Sequence, residues 1–166
     1  MIASSMGAAH LAAAMAALVL GAVVIGLAKG TPFHRMIGAG YVAAMIIVNL
    51  SALAIYRLTG HVEAFHALAL LSLAVLARGV LAALIRRPGW LPIHFRYMAW
   101  SYVGLLAATG SEIVIRLGMR LGLLRGPWQI MAAGVAVGVV ATILGYVLVP
   151  RLQRSRMQYD EAHFAV

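Results

Sequence analysis

Apolar residues run along this chain in long blocks, and the polar residues collect in short gaps between them. Residues 1–28 carry no charged side chain, and 7–28 predict a first membrane helix, near the about 20 residues a span requires. Without a basic start, this block reads as a span and not as a signal peptide. Lys29-Gly30-Thr31-Pro32 predicts a stop and a tight turn. A second helix is expected over residues 33–57, broken by Leu58-Thr59-Gly60, and a third over 63–85, ended by Arg86-Arg87-Pro88-Gly89. A fourth is expected to open at Pro92 or Ile93 and run to 117, and Pro127 opens a fifth that reaches Pro150.

Composition turns this pattern into a class. Of 166 residues, 64% are hydrophobic and 10% charged, against about 25% charged in soluble domains. The fold class expected is therefore all-α: a polytopic membrane helix bundle of five transmembrane helices. Residues 1–150 form the membrane domain, and 151–166 form a polar cytoplasmic tail at the water or headgroup level. Its first partner is the lipid bilayer, and a multi-pass place in a bacterial inner membrane follows. Cysteine is absent, which excludes disulfides and iron–sulfur clusters and leaves histidine, carboxylate and methionine as metal ligands.

Charge orients the bundle. Lys29, Arg35, Arg86, Arg87, Arg96, Arg151, Arg154 and Arg156 fall on one side, and Arg57, Arg116, Arg120 and Arg125 on the other. The richer side is expected to be cytoplasmic, which places the amino terminus outside and the carboxyl terminus inside. The net charge of +9 is explained by this asymmetry and by anionic headgroups; no nucleic-acid patch is present. Gly134 and Gly138 form a small-xxx-small pair, suited to packing within the bundle or to a homo-oligomer seam.

Four histidines open four successive helices. By this topology His10 and His66 lie near the outer face, and His34 and His94 near the inner face. Gly38, Tyr41 and Met45 share the face of His34; Met98, Ser101 and Tyr102 share that of His94. A flat macrocycle needs such clearance, and one imidazole from each side supplies two axial ligands. Haem b held by His34 with His94, and by His10 with His66, is the reading drawn from this arrangement. Arg35 and Arg96 would face the inner propionates, and Arg57 and Arg116 the outer ones. Transmembrane electron transfer follows, with a quinone or another redox partner. An oxidoreductase is the enzymatic class left open. The logic is that of diheme proteins of the cytochrome b561 type, by analogy alone. Against it stands the plainer role of interfacial histidines bound to headgroups, water or backbone.

Two other readings stay open. His10, His61, His66, Glu63 and Glu112 would gather near the outer face and form an alternative copper or zinc site. Equally, Glu63 complements a helix dipole and Glu112 pairs with Arg116 four residues on. A transporter or scaffold without catalysis ranks third, since no broken helix marks a transport site. Arg78, well inside the third helix, either snorkels to the cytoplasmic face or meets Asn49, Ser51 or a cofactor carboxylate inside. Trp90, Trp100, Trp128, Tyr56, Tyr97 and Tyr159 read as interfacial anchors.

The stretch Lys29-Gly-Thr-Pro-Phe-His34-Arg35-Met-Ile-Gly38, followed by Tyr41-Val42, resembles a KGTPxHRxxGxxYV segment of an uncharacterised bacterial family of small predicted membrane proteins. His94-Phe-Arg96-Tyr-Met98 is similar to a second shared stretch, HxRxM. The resemblance spans about helices one to four. It implies a membrane fold and no activity, and it falls on His34, Arg35, His94, Arg96 and Met98, not on His61 or Glu112.

Overall fold

Five helices in chain order make up the computed structural model, which describes residues 5–59 and 64–164, with side chains over 5–54 and 66–155. They are α1 (Ser5–Gly26), α2 (Pro32–Thr59), α3 (Ala64–Ile85), α4 (Trp90–Arg120) and α5 (Pro127–Phe164). No strand occurs among the described residues. Each helix contains a stretch long and apolar enough to cross a membrane. Lipid is also the solvent their surfaces require. Leu71, Leu84, Val135 and Ile143 are exposed, and a monomer in water rarely shows so much apolar area.

The chain divides into two units, Met1–Arg78 and Gly79–Val166. In the first, α1 packs along α2. Ala13, Ala17 and Gly21 recur every fourth residue on α1 and are buried. These small residues let the α2 backbone approach closely. Tyr41 and Met45 fill the seam from α2 and are its most completely buried side chains. In the second unit, α4 packs along α5. Gly110 meets Val137, Gly134 meets Ile115, and Gly145 meets Trp100 and Val103. Ser111 adds a hydroxyl bond to the Gly134 carbonyl, 3.1 Å away. Gly134 thus packs within the bundle, whereas at Gly138 no neighbouring atom lies within 4 Å of where a Cβ would stand.

Several helix ends differ from expectation: α1 ends at Gly26, ahead of 28, and α2 and α4 run on to Thr59 and Arg120, past 57 and 117. The fourth helix begins at Trp90, ahead of Pro92. Proline is tolerated there because first-turn amides have no helical acceptor to lose. The fifth continues through Pro150 to Phe164 instead of ending at the proline. Gly89, left-handed at φ 75°, turns the chain into α4, and Arg86, left-handed at φ 52°, ends α3. The Arg86 guanidinium lies over Trp90, 5.6 Å from the ring centroid.

Candidate functional site

The site residues expected from sequence rest on two kinds of local structure. The first is the α1–α2 turn. Lys29 donates from Nζ to the Val24 and Ile25 carbonyls at 2.8 and 2.9 Å, closing the end of α1. Gly30 takes a left-handed φ of 77°. Thr31 then caps α2: its Oγ1 donates to the Ala28 carbonyl and accepts the His34 amide hydrogen, both at 3.1 Å. Pro32 is the first helical residue, where its missing N–H costs nothing. The order Lys-Gly-Thr-Pro is thus a chain-reversal device, and it sets His34 in the first turn of α2. His34 is half-buried, with its Nδ1 out of contact with solvent. One turn on, Gly38 faces Val24 of α1, 3.7 Å from where a Cβ would stand.

The second kind is a histidine fixed by a partner on the next helix. His10 Nδ1 lies 2.8 Å from Ser51 Oγ, on α2. That hydroxyl also lies 2.6 Å from the Ile47 carbonyl and 2.9 Å from the Val48 carbonyl. Carbonyl oxygens only accept, and with the serine proton directed at one of these carbonyls, the hydroxyl accepts from His10 Nδ1–H. His94 does the same with a backbone partner. Its Nδ1 stands 2.9 Å from the Gly79 carbonyl of α3, so it too must donate. A neutral His94 thus carries its proton on Nδ1 and keeps the lone pair on Nε2, and a neutral His10 does so in that serine rotamer. Metal-ligating histidines are held this way, the second ring nitrogen donating to a carbonyl or hydroxyl.

Gly79 lets α3 and α4 come close enough for this bond. A Cβ there would stand 2.9 Å from Met98 Sδ and 3.2 Å from Tyr97 Cβ. His94 and Met98, one turn apart, thus meet the same glycine, while Trp90 tilts against His94 with ring centroids 6.2 Å apart. Arg96 is two residues from His94, and so about 200° around the helix. It lines a cleft against α5 with Trp100, Tyr146 and Gln153. Ser101 is buried and donates to the Met98 carbonyl.

The other expected residues are placed as follows. His66 is half-buried on the first turn of α3, with Nε2 shielded from solvent. His34 belongs to the first unit and His94 to the second. Arg35 and Arg78 lie at exposed positions. Asn49 donates to the Met45 carbonyl, within its own helix. Glu112 is ion-paired with Arg116 on the exposed side of α4. Among the described residues no three histidines or carboxylates gather as a metal group. His61, Glu63 and the side chain of Arg57 lie outside the described residues. Sequence reading missed Ser51 as the partner of His10 and Gly79 as that of His94. The signal was the single serine of the second span, two residues after Asn49, and the single glycine of the third, next to Arg78.

Compared with known proteins, residues 7–153 match a family described as "Predicted membrane protein (DUF2306)". The chain belongs to this family. Membership covers all five helices up to the polar end of α5, and it agrees with a multi-pass protein in contact with the bilayer. DUF2306 is a domain of unknown function, so it brings a membrane setting and no chemistry. No curated protein and no solved structure matches the chain significantly.

Proposed function

We propose that this DUF2306 protein binds haem b within the membrane through helix-opening histidines and passes electrons from one face to the other. The observation that carries the reading is the shared state of His10 and His94. Each sets Nδ1 against a fixed oxygen, and with the proton on Nδ1 its Nε2 is open to a ligand. A polar side chain within a membrane helix is costly, and two oriented alike point to a common use. His66 and His34 are further proposed ligands. Arg35 is the proposed partner of an inner propionate, while Arg96, turned toward α5, is left out of that role. Bound haem supplies one-electron redox chemistry; the residues here hold the ring and set ligand basicity. The Lys/Arg asymmetry supports an amino terminus outside and a carboxyl terminus in the cytoplasm of a bacterial inner membrane, with a quinone or a redox protein as partner.

The full chain, purified in detergent from haem-replete cells, is expected to show a Soret band that shifts on reduction, with His10→Ala and His94→Ala each losing part of it. A colourless, iron-free preparation sinks the reading. The same two hydrogen bonds would serve a purely structural staple. In that case both variants lower stability while wild type carries no chromophore.

A further inference from the structure

The α4–α5 seam holds a second feature that the haem reading does not use. A cleft of about 200 Å³ opens between the first turns of α4 and the end of the α5 span. Arg96, Trp100, Tyr146, Val149, Pro150 and Gln153 line it. We propose that this cleft holds the headgroup of an anionic phospholipid, with the phosphate at Arg96 and a headgroup hydroxyl at the backbone of α5.

Depth supports a lipid. The α4 span is 31 residues, or about 46 Å at 1.5 Å per residue. The hydrocarbon core is about 30 Å thick, which leaves about 8 Å at each end. Arg96 is six residues into α4, about 9 Å from its start, at the edge of the hydrocarbon core, from which its long side chain reaches the lipid phosphates. Gln153 is two residues from the end of the Pro127–Ser155 span, at the same level of an antiparallel neighbour. Arg151 and Arg154 are exposed beside it and add to the positive field.

The walls support a headgroup with both a charge and a hydroxyl. Pro150 has no N–H, so the Tyr146 carbonyl one turn earlier loses its usual helical donor. Tyr146 itself lines the cleft, and in a membrane its carbonyl needs a donor. A headgroup hydroxyl supplies one, while Arg96 supplies charge-assisted bonds to phosphate. Below them, Trp100 and Tyr146 meet edge to face with centroids 5.0 Å apart, and Gly145 lets the indole lie against the α5 backbone, 3.0 Å from where a Cβ would stand. This aromatic wall suits the upper acyl chain. Tyr146 is 70% exposed, so the cleft opens sideways to the bilayer, where a lipid enters without crossing water.

The test is native mass spectrometry of the full chain in detergent, with dioleoyl phosphatidylglycerol and dioleoyl phosphatidylcholine offered in equal amounts. Wild type is expected to retain phosphatidylglycerol preferentially. Arg96→Gln should lower that retention about fivefold, the loss of one partly exposed charge contact. Arg96→Lys should keep most of it, and Arg120→Gln, at the far end of α4, should match wild type. Should Arg96→Gln fail to fold, Tyr146→Leu replaces it, with an expected loss of about twofold. Equal retention of the two lipids by wild type overturns the proposal. So does unchanged retention in Arg96→Gln or in Tyr146→Leu. Displacement of phosphatidylglycerol by millimolar inorganic phosphate alone overturns it in favour of a free anion. None of these outcomes depends on haem, which the absorption spectrum reads separately.

Discussion

His94 donates its Nδ1 hydrogen to the carbonyl oxygen of Gly79, 2.9 Å away on the preceding helix. The bond exists because residue 79 has no side chain. Replacing Gly79 with valine brings branched carbon into Met98 Sδ and Tyr97 Cβ, which already stand 2.9 and 3.2 Å from a Cβ position. Overpacking costs about 1–3 kcal/mol, and the lost hydrogen bond adds about 1 kcal/mol. Gly79→Val is therefore expected to lower unfolding free energy in mixed micelles by about 3 kcal/mol. Met98→Ala should restore only part of it, because the Tyr97 Cβ is held by its own helix and cannot withdraw.

Ser51→Ala removes the acceptor of His10 while leaving the imidazole in place. If His10 is an axial ligand, losing its outer hydrogen bond should weaken haem retention about tenfold, read by haem transfer to apomyoglobin. Unaltered retention in a haem-containing sample would show that His10 is no ligand.

Thr31→Ala deletes the cap on the His34 amide. The expected loss is about 1 kcal/mol in unfolding free energy, and Thr31→Ser should recover it, since serine offers the same acceptor.

Gly145 and Gly138 separate packing from open surface on one helix. Gly145→Leu drives a side chain into Trp100 and Val103, now 3.0 and 3.1 Å from the Cβ position, and should cost at least about 2 kcal/mol. Gly138→Ala meets no atom within 4 Å. It should be neutral or stabilise by up to about 1 kcal/mol through helix propensity, with unchanged elution on size-exclusion chromatography.

The five helices were legible because their boundaries are chemical events. Lys29-Gly30-Thr31-Pro32 and Arg86-Arg87-Pro88-Gly89 interrupt apolar runs with charge and turn residues, and the helices stop there. Proline misled twice. Pro92 lies inside the first turn of α4, where no bond is lost, and Pro150 lies inside α5 without ending it. The site was legible only in part. Helical spacing found the shared face of His34, Tyr41 and Met45, but spacing cannot see what fills that face. Tyr41 and Met45 turn out to be the buried core of the α1 seam, and Gly38 faces Val24. Likewise, His94 and Arg96 read as one motif from sequence, yet two residues on a helix look in nearly opposite directions.

The α1–α2 turn has a consequence for how the chain enters the bilayer. Only residues 27–31 separate Gly26 from Pro32, and Lys29 and Thr31 spend their side chains within that turn. Such a link is too short to trail a soluble loop, so the first two spans must partition into lipid as a single hairpin. The first span has no charge of its own to choose a direction. Lys29 and Arg35, both at the hairpin tip, make the choice for both spans at once. Reversing those two charges should invert the pair together, never one helix alone.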